Sequence, residues 1–187
     1  MTKLILLLFS MTLFSCGQKG AGETAAPITE VKKASTTTAP SFNADSAYAY
    51  VEKQVSFGYR VPNTPAHKAC GDYLVSELKR FGAQVYEQEA TLKAYDGTPL
   101  ESRNIIGSFN PDKDKRILLF AHWDTRPYSD HDPDPANHKK PLDGADDGAS
   151  GVGALLEIAR QMGMKAPEVG VDIIFFDAED YGTPEFA

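Results

Sequence analysis

Phe175-Phe176-Asp177-Ala178-Glu179-Asp180 ends a run of apolar side chains (Val171, Ile173, Ile174, Phe175, Phe176) with three acids. A buried strand that runs straight into carboxylates marks the carboxyl edge of a parallel sheet, where open α/β folds place their chemistry. Two further strings repeat the pattern. Ile117-Leu118-Leu119-Phe120-Ala121 runs into His122-Trp123-Asp124, and Gly144-Ala145-Asp146-Asp147-Gly148-Ala149-Ser150-Gly151 opens a helix. One imidazole and several carboxylates make a ligand set for a hard or borderline metal such as zinc.

Working outward from these strings, the order is strand, loop, helix, strand. A helix is expected from Asn43 or Asp45 to about Phe57. A second, capped by Asn63 or Thr64 with Pro65 in its first turn, keeps Leu74, Leu78 and Phe81 on one face up to Gly82. Strands are expected near 84–92 and 103–108, followed by a turn at 110–114 and a central strand at 116–121. The loop from Thr125 to Asp147 carries Pro127, Pro133, Pro135 and Pro141; a connection of this length is usually functional. A helix from Ala149 to about Met162 and a strand over 170–176 complete a βαβ order.

The 187 residues suffice for one domain, and 42% apolar content suffices for a core. A net charge of −7, with no cluster of Lys and Arg, argues against a nucleic-acid surface. Lys3, the apolar stretch Leu4 to Leu13 and Leu13-Phe14-Ser15-Cys16 have the layout of a secretory signal too short to span a bilayer. A Cys after a small residue at the cleavage point resembles the lipobox of bacterial lipoproteins. Cys16 is then the lipidated first residue of an exported protein anchored to the membrane, on its periplasmic or outer face. Residues 1–15 are read as the signal peptide, 16–41 as a flexible tether, and 42–187 as the folded part. Cys70 is left without a disulfide partner and is expected to be a small buried hydrophobe.

Taken singly, Asp146-Asp147 reads best as helix N-terminal carboxylates, Glu179-Asp180 as a solvated turn, and His122 equally well as a hydrogen-bonded structural imidazole. Taken together, carboxylates converging on one sheet edge repel one another unless a cation neutralises them. Glu179 and Asp180 are adjacent and diverge, so one can ligate while the other stays free to carry a proton.

The three motifs resemble the N-terminal metal-site motifs of the M28 zinc peptidase family. The segment from Phe57 to His67 (FGYRVPNTPAH) further resembles its glutaminyl cyclase branch. The resemblance implies an α/β fold: a three-layer sandwich with a largely parallel or mixed central sheet, zinc exopeptidase-like and incomplete at its C-terminal end. It implies Glu179 as general base, Asp147 and Asp180 as metal ligands, and His122 as a ligand only in a dinuclear site. Asp124 would orient His122, and Trp123 is either a wall of the substrate pocket or a packed aromatic. The loop Arg126–Pro141 would wall the entrance, with His131 and His138 on its surface. The implied activity is acyl transfer: N-terminal glutamine of a peptide becomes pyroglutamate, with one zinc and loss of ammonia. Asp180, where many aminopeptidases have Glu, leans toward the cyclases. A di-zinc aminopeptidase is the alternative, and a non-catalytic lipoprotein remnant a third reading. The family's remaining zinc His has no counterpart before Ala187, so the chain is expected to be a C-terminally shortened, inactive form.

Overall fold

The computed structural model describes residues 39–187. The residues read as signal peptide (1–15), Cys16 and most of the expected tether lie outside the described residues.

Helix α1 (Ala44–Val55) starts at Asn43, whose side chain accepts from the Ser46 N–H at 3.0 Å. Helix α2 (Pro65–Arg80) starts at Thr64, whose hydroxyl accepts from the His67 N–H, with Pro65 in the first turn and Lys79 and Arg80 in the last. Strands β1 (Gln84–Lys93) and β2 (Pro99–Phe109) form a hairpin closed by Asp96-Gly97, where Gly97 takes φ +90°. Strand β3 (Arg116–His122), a single 3₁₀ turn at Pro135–Asn137, helix α3 (Ala149–Met164) and strand β4 (Gly170–Phe176) follow.

The sheet is mixed, in the order β1-β2-β4-β3. β3 and β4 run parallel, joined through α3, while β1–β2 and β2–β4 are antiparallel. The strand expected at the centre, 116–121, is β3, and it forms an edge of the described sheet, with β4 inside. An apolar run on both faces looks the same at either place from sequence. β2 begins four residues before its expected start because Leu100 and Ser102 alternate into the interior.

Among the described residues the three α-helices lie on one side of the sheet. Leu74 and Leu78 of α2 and Val152 and Leu156 of α3 meet Ile105, Ile173 and Phe175 there, with Cys70 and Trp123 in the same core. Cys70 is fully buried, and burial pushes its thiol up to about 12, which makes it an inert hydrophobe. The opposite face of the sheet is uncovered among the described residues, with Leu118 and Phe120 at 53% and 64% exposure.

Because β3 and β4 are parallel and in register, His122 stands opposite Phe176. The Trp123 N–H extends the ladder by one bond, donating to the Phe176 carbonyl at 3.0 Å. The two motifs that follow these strands therefore leave the sheet side by side, at the edge where α3 begins.

Candidate metal centre

His122 ends β3 with its Nε2 2.8 Å from Asp147 Oδ1. Asp147 sits in the turn before α3, between Gly144 (φ +58°) and Gly148 (φ +89°). A Cβ at Gly148 would stand 3.1 Å from both the His122 ring and the Asp124 carbonyl, so the turn closes onto the imidazole only because that residue is glycine. After β4, Ala178 adopts φ +60° and reverses the chain. The buried Asp124 carboxylate then accepts from two successive amides, Glu179 N–H at 3.2 Å and Asp180 N–H at 3.1 Å.

This geometry brings one ligand atom each from His122, Asp147 and Asp180 within 4.8 Å of one another. Asp146, one residue from Asp147, is exposed and outside the group. Glu179 stands beside the cluster without joining it. Its side chain is 64% exposed and its Oε2 lies 3.8 Å from His122 Nδ1.

Like charges crowd one another at this cluster. Burial, with the Asp147 and Asp124 charges behind it, pushes the Asp180 carboxyl up to about 6. The Asp124 carboxylate, opposed by burial and helped by Asp147 and Glu179, raises His122 to about 9. His122 Nδ1 is buried without a hydrogen-bond partner, 3.5 Å from Asp124 Oδ1. One imidazole nitrogen and two carboxylate oxygens at this spacing suit zinc. A divalent ion there would relieve the crowding of negative charge that otherwise forces protons onto Asp180 and His122.

Asp124 was expected to orient His122. Its Oδ1 stands 3.5 Å from the ring Nδ1, and the same carboxylate also accepts from the Glu179 and Asp180 amides. Trp123 does not line a pocket. It is fully buried, stacks on His67 with centroids 4.3 Å apart, and its Nε1–H donates to the Arg103 carbonyl. The reason is alternation, since the residue after a ligand at a strand end points into the core. His131 and His138 lie outside the cluster. His131 is exposed near Glu185, and His138 Nε2 lies 2.8 Å from the Asp132 carbonyl.

Two supports escaped sequence reasoning. His67 Nε2 meets both oxygens of Asp177 at 2.8 and 2.9 Å, and Asp177 also accepts from the Arg103 and Ala178 amides, which fixes the root of the turn carrying Glu179 and Asp180. Arg126 grips Asp130 through two bonds and donates to the Asp180 carbonyl at 3.1 Å, tying the long loop to the same turn. The i,i+4 spacing of Arg126 and Asp130 was the one visible signal for the second; His67 lay within the FGYRVPNTPAH segment without a partner to suggest its role.

A mixed α/β sheet with His and Asp side chains gathered where its parallel strands end is the architecture of a zinc exopeptidase-like fold. Residues 104–184 match the model of peptidase family M28. The chain is similar to a solved Zn-dependent exopeptidase from Parabacteroides distasonis, at 80% identity and a TM-score of 0.78. It is likewise similar to Tannerella forsythia glutaminyl cyclase, at 69% identity and a TM-score of 0.78. A leucine aminopeptidase precursor from Bacteroides thetaiotaomicron matches at 64% identity and a TM-score of 0.79. Each alignment covers 79% of this chain and 51% of the solved chain, so the chain spans about half the length of these structures. Zinc is the metal that this family match implies.

Proposed function

We propose that this protein is a zinc-dependent glutaminyl-peptide cyclotransferase, an acyltransferase that converts the N-terminal glutamine of peptides to pyroglutamate. The observation that carries the reading is Glu179, exposed and outside the His122–Asp147–Asp180 group it stands beside, in a chain 69% identical to a glutaminyl cyclase. Asp147 and Asp180 would hold a single zinc ion. Bound there, zinc supplies a Lewis acid for the γ-carboxamide of the substrate. The chain's own part is proton handling and placement. The α-amine and the carbon it attacks belong to the same residue, so the reaction needs orientation rather than capture of a second substrate. Glu179 takes a proton from the amine as the new N–C bond forms and returns it to the departing NH₂ group, which leaves as ammonia. No water is consumed. Asp124 keeps Glu179 in place through its backbone amide.

A second reading, an M28 aminopeptidase with two zinc ions, is favoured by one observation: His122 is part of the donor cluster, 2.8 Å from Asp147. The test is zinc content together with product on a glutaminyl dipeptide. One zinc per chain with ammonia release supports the cyclase; two with release of free amino acid overturn it. We also propose export as a lipoprotein anchored through Cys16, supported by the composition of residues 1–16. Palmitate labelling that survives Cys16→Ala would refute it.

A further inference from the structure

Arg60, in the link between α1 and α2, has no exposed surface, and its side-chain hydrogen bonds all go to main-chain carbonyls. Nε–H donates to the Trp123 carbonyl at 3.1 Å, Nη1–H to Asp143 at 3.0 Å and Nη2–H to Gly144 at 2.7 Å. Its own carbonyl accepts from the Thr125 N–H at 3.2 Å. These contacts fall on two separate segments. Trp123 and Thr125 flank Asp124 directly after His122, while Asp143 and Gly144 begin the turn that delivers Asp147.

We propose that Arg60 is a positioning residue of the metal centre, its guanidinium fixing the distance between the strand end that carries His122 and the turn that carries Asp147. The inference rests on the metal reading above. Burying a cation is costly unless its donors are met, and here three carbonyls from two segments meet them at once. The joint is also close-packed. A Cβ at Gly144 would fall 2.3 Å from Thr125 Cγ2 and 2.8 Å from Arg60 Nη2, so the turn is seated directly on the guanidinium. Gly144 in turn accepts the Ala149 N–H at 3.2 Å, which couples the same carbonyl to the first turn of α3. Lysine cannot replace this fork. Its ammonium is a point donor that does not span three carbonyls spread over a planar guanidinium.

The experiment compares the full chain with Arg60→Lys, first metal-free and then with zinc. In the metal-free protein, the Thr125 and Ala149 amides should exchange faster in the variant, while those of Leu74 and Ile105 in the core keep their protection. Zinc affinity, measured by competition with a chelating dye, should fall about ten- to hundredfold, as for other residues that orient ligands. The visible absorption of bound cobalt should change with it. A variant that melts earlier yet keeps wild-type zinc affinity and cobalt spectrum would reduce Arg60 to a general stabiliser and overturn the proposal. If the wild type binds no zinc, the metal reading falls by itself, and the exchange at Thr125 and Ala149 still decides whether Arg60 holds the joint. If Arg60→Lys does not fold, Gly144→Ala presses on the same guanidinium with Arg60 kept. Unchanged zinc affinity in that variant overturns the proposal, and weakened affinity sustains it.

Discussion

Asp124 has no exposed surface, and its two oxygens accept from the successive amides of Glu179 and Asp180. One carboxylate therefore places both the proposed base and a proposed ligand. Hydrogen bonds to a charged group are worth about 1.5–3 kcal/mol each. Asp124→Ala should cost the metal-free chain at least about 1.5 kcal/mol in a denaturant melt and weaken zinc binding; full retention of both would remove Asp124 from the site. Glu179→Gln makes the opposite prediction. Its side chain is largely in solvent and outside the donor group, so zinc content and stability should be unchanged, while ammonia release, wherever the parent protein shows it, drops by about 10²–10⁴. Loss of zinc in that variant would mean that Glu179 ligates. The acids and His122 were legible in the sequence because each stands at a strand end or a helix start, places that periodicity marks. Arg60 and the amide contacts of Asp124 were not. Their partners are backbone groups, which carry no residue-type signature, and they meet only after Ala178 and Gly144 adopt left-handed conformations.

Helix α3 carries its own clamp. Glu157 is fully buried and accepts from Arg160, Gln161 and the Asn43 N–H, so the start of α1 is pinned to the middle of α3. The Arg160 guanidinium, joined by Gln161 and Asn43 against the opposing effect of burial, lowers the Glu157 carboxyl from 4.5 to about 2. A carboxyl depressed in the folded state binds more protons when unfolded. Its contribution is whole above about pH 4.5 and is lost as the pH falls toward 2. Thermal melts of the wild type should therefore fall in midpoint across that window, and Glu157→Gln should be less stable near neutral pH with a flatter acid limb. An unchanged slope would show that the clamp does not couple to folding. The same two helices cross at Gly153, where a Cβ would lie 2.8 Å from Val51 Cγ2 and 2.9 Å from the Ala47 carbonyl. Gly153→Val should separate them at a cost of about 1–3 kcal/mol, read in the same melt. Helix starts and the βαβ order were readable from caps and spacing. The edge position of β3 was not, because Ile117 to Ala121 is apolar on both faces and only its pairing partner tells edge from centre.

At the scale of the whole described chain, helices cover one face of the sheet and the other is bare. Phe120, Ile174, Ile106 and Tyr86 pair in register as one row across all four strands on that face, and Phe120 also meets Phe176 edge-on with centroids 5.7 Å apart. Leu118 and Phe120 are more than half exposed on this face, and Ile117 is half exposed on the other side of the same strand. β3 is also an edge of the described sheet, with one side of its backbone free to pair. Proteins normally guard such a strand with charge or cover it. Here Arg116 is its only Lys, Arg, Asp or Glu, and that side chain is already committed to Asp172. The net charge of −7 opposes association in general, but it comes from acids elsewhere and does not mask this strand. The chain purified as it stands should associate with rising concentration, seen as a growing sedimentation coefficient. The Leu118→Lys, Phe120→Lys double substitution should restore a monomer with an unchanged far-ultraviolet circular dichroism spectrum. Its zinc affinity should also be unaltered, because β3 reaches the candidate metal centre only through His122 at its far end. A wild-type chain that stays monomeric throughout, or a double variant that associates equally, would place the sticky surface somewhere other than β3.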